Sequence, residues 1–132
     1  LMGSFTNYTP SQRLLHKTKA TRCEAYNIIL LLALWEEQAF RSGSEKWSWR
    51  ERVRASVCFG ILHIANIWYS FAAGVALSVT GFGFLLVYLW CYRKYRSQII
   101  ATAAATTVHA LYNAIALSLI AVVLAIDIAK LL

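Results

Sequence analysis

Apolar residues dominate four stretches of the chain, separated by short polar segments. The stretches run from about Ala25 to Phe40, Val53 to Phe71, Ala72 to Tyr92 and Ser97 to Asp127. A helix needs about 20 apolar residues to cross ~30 Å of hydrocarbon. The first stretch is short for a span, and the last is longer than one membrane thickness, so it must tilt, bend or emerge. The pattern predicts an all-α fold: a transmembrane bundle of four helices over residues 25–132.

The first 24 residues differ from the rest because they are polar and basic. Thr9-Pro10-Ser11-Gln12 is typical of a helix start, with a threonine N-cap, a proline at the first helical position and a capping-box partner. We expect a basic helix from Ser11 to about Arg22, which lies on the membrane surface or continues into the first span. Residues 1–24 are therefore predicted to be a basic N-terminal segment without a cleavable signal peptide.

The composition supports a membrane environment. Of the 132 residues, 59% are hydrophobic and 14% are charged, whereas a soluble domain carries about 25% charged residues. A chain of this size cannot bury the apolar excess, because much of the surface of a small domain stays exposed. We therefore expect the lipid bilayer to cover the remainder, in a multi-pass protein of the cell membrane.

The positive charge is distributed as in loops that flank membrane spans. Thirteen Lys and Arg residues oppose six Asp and Glu residues, and most of the basic ones cluster at positions 13–22, 46–54 and 93–96. Such clusters are attracted to anionic headgroups. No nucleic-acid-binding sequence motif accompanies them, so a nucleic-acid partner is not expected. If the 41–54 and 92–97 loops lie in the cytoplasm, most of the positive charge is on the cytoplasmic side of the membrane, as the positive-inside rule favours.

The three cysteines offer no framework for a disulfide or a metal site. Cys23, Cys58 and Cys91 are odd in number and widely spaced, so neither disulfide pairs nor a CxxC motif can be built from them. We interpret them as small buried hydrophobes.

Five polar side chains interrupt the apolar stretches: Glu36, Glu37, His63, His109 and Asn113. Each needs a physical reason, because an ionisable group in hydrocarbon costs about 2.5–3.5 kcal/mol. Glu37 lies four residues before Arg41, so the two can form an ion pair on one helix face. Glu36 lies about 100° further around the helix and cannot share that partner equally. One carboxylate is thus predicted to be neutralised structurally and the other left for a different role.

The four-residue spacing recurs in the later stretches. Phe59 precedes His63 by one helical turn, and His109 precedes Asn113 by one turn. If these faces converge, a carboxylate, two imidazoles and a carboxamide meet in the interior. A carboxylate beside a histidine can act as a general base toward water, and a neutral histidine or an asparagine can donate to an oxyanion. A lone intramembrane histidine more often joins two helices, so the spacing leaves catalysis and a structural role open.

These residues form three motifs that resemble those of a known family. Residues 36–41 (EEQAFR) resemble the EExxxR motif, residues 59–63 (FGILH) the FxxxH motif, and residues 109–113 (HALYN) the HxxxN motif of the CAAX protease and bacteriocin-processing (CPBP, or ABI) family. The motifs occur in the family's order, each on its own apolar stretch. The resemblance covers about Ala25 to Leu119.

The resemblance implies a chemical role for four residues. Glu36 would activate a water molecule with help from His63, while His109 and Asn113 would form the oxyanion pocket. Family members have been described as metalloproteases, although the residue set also suits a metal-independent glutamate peptidase. If a divalent ion such as zinc is present, Glu36, His63 and His109 would hold it, and counting ligands does not decide between the two.

The resemblance also implies supporting residues and a function. Glu37, a member of the implied catalytic set, would be held by Arg41 and support the site together with Phe59. The expected function is cleavage of a peptide bond in a membrane-associated protein or peptide. The leading alternative is a non-catalytic accessory or scaffold subunit of a larger membrane complex, which the shortness of the chain favours. An ion pathway could use the same carboxylates, but four helices without broken half-helices make a poor transporter.

Overall fold

The computed structural model describes residues 9–67 and 70–131, and within them the chain forms only helices. Four α-helices and one 3₁₀ helix follow one another: α1 (Pro10–Phe40), the 3₁₀ helix (Ser44–Lys46), α2 (Trp49–Ile67), α3 (Phe71–Tyr95) and α4 (Gln98–Leu131). The predicted all-α fold class is confirmed. The part of the predicted N-terminal segment that precedes Thr9 lies outside the described residues.

Helix α1 crosses the predicted boundary at residue 24 without a break. It has 31 residues, which corresponds to about 46 Å at 1.5 Å per residue. At its start the hydroxyl oxygens of Thr9 and Ser11 lie 3.0 Å apart. The basic residues therefore do not form a separate surface helix, and of the two expected arrangements the continuation into the first apolar stretch is the one observed.

Helices α3 and α4 are long and apolar enough to cross a membrane. No part of the most apolar window of α4 is buried inside the protein, and large apolar side chains such as Leu119 and Val123 face outward there. Among the described helices, α1 and α2 do not meet the same criterion of length and apolarity. The structure therefore supports membrane association through two helices that are long and apolar enough to cross, and a bundle of four spans stays a prediction.

Helix α3 is the central element of the arrangement. It packs along α2 and along α4, whereas α1 packs mainly on α4 and touches α2 only briefly. The core between α3 and α4 is formed by Leu85, Tyr88, Leu89, Cys91, Ala101 and Ala105. Because α1 and α2 share so little contact, space remains between them, and this space becomes the cleft described below.

Close packing of α2 on α3 depends on glycines. A Cβ atom at Gly60 would overlap the Ser78 side chain and the carbonyl oxygen of Gly74, and one at Gly74 would overlap Ile64. Close approach of this kind is how helices associate in lipid, where burial of apolar area gives little driving force. The pair α2–α3 is consequently the tightly joined half of the protein.

The two cysteines whose side chains are described differ in exposure. Cys91 is buried in the α3–α4 core, as predicted, but Cys58 is exposed. The prediction is wrong for Cys58 because α2 turns that face outward, together with Val57 and Ile61. Apolar residues on such a face suit lipid as well as they suit a core. The side chain of Cys23 lies outside the described set.

Candidate functional site

Two carboxylates of α1, those of Glu36 and Glu37, lie in its last turns and point in different directions. Glu37 is fully buried and forms an ion pair with Arg41, as the four-residue spacing predicts. Glu36 is 21% exposed and faces His63 and His109 from the neighbouring helices. Adjacent residues of the same type therefore occupy different environments.

Arg41 is attached to three helices. Its Nε donates to the carbonyl oxygen of Gly81 on α3 at 3.1 Å. Its guanidinium carbon lies 4.6 Å from the ring centre of Phe59 on α2 and 5.3 Å from that of Phe84 on α3. A Cβ atom at Gly81 would come within 2.7 Å of Phe59 Cδ1 and 3.1 Å of Arg41 Nη2. Glycine at this position therefore makes room for the guanidinium and the ring beside it.

His109 lies between the two carboxylates. Its Nδ1 is 2.9 Å from Glu37 Oε1, and its Nε2 is 3.3 Å from Glu36 Oε2. The ring is buried and stacks on Phe84, with 4.4 Å between the ring centres. A carboxylate can only accept hydrogen bonds, so we infer that the Nδ1 proton points to Glu37. The Nε2 atom is then presented to Glu36 and to the cleft.

His63 is oriented by a backbone group. Its Nδ1 lies 2.8 Å from the carbonyl oxygen of Phe59, and since a carbonyl oxygen only accepts, Nδ1 carries the proton. The Nε2 atom of the neutral ring is therefore a lone-pair acceptor, and it lies 3.8 Å from Glu36 Oε1. Two acceptors at this separation suit a water molecule that donates to both.

The structure brings six of the seven sequence-predicted site residues into mutual contact. These are Glu36, Glu37, Arg41, Phe59, His63 and His109. Asn113 lines the same cleft, one turn beyond His109 on α4, but no hydrogen bond joins it to another polar residue in the described part of the chain. Glu36 lies close enough to both histidines for proton exchange, directly or through one water.

An apolar cleft of about 430 Å³ leads away from this polar cluster, with walls from all four helices. Glu36, His63, His109 and Asn113 line its end nearest the α1–α2 loop. Its other walls are mainly apolar, and include Ile29, Leu32, Leu77, Phe84, Leu117 and Ile120. A few convergent polar groups at one end of an apolar cleft are typical of ligand and active sites.

The implied metal does not fit the residues as they are placed. Among the described residues there is no group of three or more His, Cys, Asp or Glu side chains that could hold a metal ion. Glu36 contacts both His63 and His109, but the three side chains are not arranged as a group that could hold a metal ion. The chemistry below is therefore derived from the side chains alone.

Sequence reasoning did not place at the site two residues of α3 that shape it. Phe84 stacks on His109, and Gly81 accepts the hydrogen bond from Arg41. Both lie in an uninterrupted apolar stretch, where one phenylalanine or glycine looks like another. The signal that was available is the pair Gly81 and Gly83, but spacing alone does not say which of them faces the site.

No protein-family model, curated protein or solved structure matches the chain. The likeness to the CPBP family therefore rests on the three motifs of the sequence.

Proposed function

We propose that the protein is an intramembrane endopeptidase of the CPBP type, which cleaves a membrane-associated protein or peptide with a water molecule activated by Glu36. The observation that carries this proposal is the position of Glu36 between His63 Nε2 at 3.8 Å and His109 Nε2 at 3.3 Å, at the polar end of an apolar cleft. Its Oε2 atom is buried and makes no hydrogen bond to a described residue. Buried polar atoms normally have partners, so the Glu36 carboxylate has unused acceptor capacity; Glu37 Oε2 also lacks a partner among the described residues, but only Glu36 lines the cleft where a reacting water can lie.

The proposed reaction begins with a water molecule between Glu36 and His63. Glu36 takes a proton from this water while the water oxygen bonds to the carbonyl carbon of the substrate. The resulting oxyanion accepts hydrogen bonds from the Asn113 amide and from His109 when its Nε2 is protonated. Glu36 then gives its proton to the amide nitrogen as the C–N bond breaks, so that one carboxylate serves first as base and then as acid.

Glu37 and Arg41 hold the reacting groups in this proposal. Glu37 fixes the His109 ring through Nδ1, and Arg41 balances the charge of Glu37. A buried charge whose partner is removed typically costs about 3–5 kcal/mol. The pair therefore belongs to the framework of the site, where a change harms folding as well as activity.

We further propose that α1 and α2 also lie within the bilayer, which gives four spans in the cell membrane. Their outward faces carry exposed apolar side chains, such as Leu31 and Trp35 on α1 and Val57 and Ile61 on α2. Both helices line the same cleft as α3 and α4. The orientation with the 41–54 and 92–97 loops in the cytoplasm agrees with their basic residues.

A second candidate function is that of a non-catalytic subunit of a larger membrane complex. The observation that favours it is helix α4, whose most apolar window is not buried at all and is available to a neighbouring protein as much as to lipid. In this role the Glu37–Arg41–His109 network would simply join helices, as polar residues do in membranes.

The substitution Glu36→Gln separates the two candidates. It keeps the shape of the side chain but removes the base, and loss of a general base lowers a rate by about 10²–10⁴-fold. We expect the variant to reach normal membrane levels and fail to complement a strain that lacks the gene. Labelling of protein N-termini in the membranes of the two strains would identify cleavage products that depend on Glu36.

Glu24→Gln is the matched control, because it makes the same chemical change at an exposed position of the same helix. It should complement fully. Full complementation by Glu36→Gln as well would contradict the peptidase proposal and favour the subunit.

A further inference from the structure

The loop between α1 and α2 is attached to the neighbouring helices, although several of its residues are exposed. Gly43 has a φ angle of +83°, a left-handed conformation that favours glycine, and it turns the chain back directly after Arg41 and Ser42. Ser44 is fully buried. Arg52 of α2 donates to the carbonyl oxygen of Ser44 at 3.0 Å. A loop that looks in the sequence like a polar surface turn is therefore held by backbone and side-chain contacts.

Tyr88 of α3 is the centre of this attachment. Its side chain is fully buried, and its hydroxyl accepts from the Gly43 N–H at 3.2 Å and donates to Glu45 Oε2 at 2.8 Å. The other carboxylate oxygen of Glu45 accepts from the side-chain amide of Gln98 at the start of α4. We name Tyr88, Glu45 and Gln98, together with the Gly43 N–H, the loop clasp.

The loop clasp begins close to the carboxylates of the site. Arg41 and Ser42 are the only residues between the end of α1 at Phe40 and Gly43. Helix α1 has little contact with α2 apart from Phe40 and the adjoining Arg41, which meet Phe59, so the loop adds to a small number of attachments on that side. The clasp thus acts together with the Arg41 and Glu37–His109 contacts to set the position of the end of α1, which carries Glu36, relative to α4, which carries His109.

We propose that Tyr88 and Glu45 are positioning residues for the reaction of Glu36, because the loop clasp holds the end of α1 where Glu36 meets both histidines. This inference rests on the proposed function. Neither residue touches the cleft, so both act through the position of α1. A displacement of about 1 Å at a reacting group can lower a rate by about 10²-fold.

Two substitutions open the loop clasp without changing the volume of the core. Tyr88→Phe removes only the hydroxyl that joins Gly43 and Glu45. Glu45→Gln, at a partly exposed position, replaces the charged acceptor by an amide and offers a milder change if the first variant folds poorly. Tyr92→Phe is the matched control: its ring stacks parallel to that of Tyr88, at 6.4 Å between centres, and its hydroxyl makes no hydrogen bond to a described residue.

The experiment combines a spectroscopic and a cellular measurement. The protein is labelled with ¹⁵N-histidine and placed in nanodiscs of anionic lipid, and the ring nitrogens of His63 and His109 are assigned with single His→Gln variants. Tyr88→Phe and Glu45→Gln should change the His109 ring resonances while the protein stays folded. Both should also lower the yield of Glu36-dependent N-termini by about tenfold or more, and Tyr92→Phe should do neither.

Unchanged His109 resonances in Tyr88→Phe, or an equal change in Tyr92→Phe, would overturn the inference. Because the resonances do not depend on catalysis, this failure is distinct from failure of the proposed function. If Glu36→Gln complements while Tyr88→Phe still moves the His109 resonances, the peptidase is wrong, and the clasp orders the cluster without serving that reaction. If Glu36→Gln is inactive and Tyr88→Phe changes nothing, the function stands and the clasp is wrong.

Discussion

The end of α1 presents two faces that differ in almost every physical respect. On the buried face, Glu37 has no solvent exposure and contacts Arg41 and His109. On the cleft face, Glu36 is 21% exposed and lies near the two imidazoles. No described lysine or arginine side chain forms an ion pair with it. The two carboxylates are consecutive in sequence, so the 100° rotation per residue of the helix is what separates them.

The difference shows how one helix end can supply both a rigid support and a reactive group. The buried face gains its rigidity from a paired charge in a water-poor environment, where each partner needs the other. The cleft face carries a carboxylate that a molecule in the cleft can reach, which is what a base requires. Substitutions made on each face separately should therefore show which face is needed for stability and which for activity.

Arg41→Ala should have the largest effect on stability. It leaves Glu37 buried without its cation and opens a space between Phe59 and Phe84, and breaking a buried pair costs about 3–5 kcal/mol. We expect a low membrane level and a strongly lowered thermal unfolding midpoint in detergent. Arg54→Ala, at an exposed position of α2, is the control. Equal midpoints for Arg41→Ala and wild type would show that the buried face is not a structural support.

Glu37→Gln and Glu36→Gln should separate stability from activity. Glu37→Gln weakens hydrogen bonds to charged groups, which contribute about 1.5–3 kcal/mol, so its thermal midpoint should fall. Glu36→Gln should leave the midpoint unchanged or raise it, since it removes a partly desolvated charge. Thermal unfolding of the two purified variants side by side tests this, and a larger loss for Glu36→Gln would reverse the assignment of the two faces.

Gly81→Ala should lower stability and activity together, by an amount smaller than Arg41→Ala. The new methyl group would press on Phe59 and Arg41, and overpacking typically costs about 1–3 kcal/mol. Gly83→Ala is the matched control two residues away, because a Cβ there meets no atom within 4 Å. It should be neutral or stabilising by up to about 1 kcal/mol through helix propensity. Similar midpoints for the two alanine variants would contradict the packing at Gly81.

Much of the helical architecture and the inward direction of the polar residues could be predicted from sequence. The apolar stretches set the four helices, and the spacing of Glu37 and Arg41 set their ion pair, because local periodicity determines which side chains share a face. The extent of α1 could not be predicted, since a basic helix such as 11–22 can lie on a surface or continue a span with the same pattern.

The parts that could not be predicted depend on contacts between distant elements. Periodicity does not tell which face of α3 meets the site, so the contacts of Gly81 and Phe84 with site residues were missed, as was the outward direction of Cys58. The attachment of Glu45 to Tyr88 and Gln98 joins residues more than forty positions apart. No local pattern marks such a bond, and a polar loop sequence indicates the opposite, a solvated turn.

The smallest expected effect is a pH dependence that arises in the loop clasp, away from both faces. Partial burial raises the pKa of Glu45. Four groups lower it: hydrogen bonds from Gln98, from its own backbone N–H and from Tyr88, and the charge of Lys46. Together they outweigh burial, so the pKa of Glu45 lies below its ordinary value. A group with a lowered pKa in the folded protein contributes stability above its unfolded pKa, about 4.3 for glutamate. That contribution is lost as the pH falls through the folded pKa. The thermal midpoint should therefore drop slightly more between pH 6 and pH 3 for wild type than for Glu45→Gln, and the effect should be modest because Glu45 is partly exposed to water. A steeper drop in Glu45→Gln would mean that the clasp does not hold the ionised carboxylate.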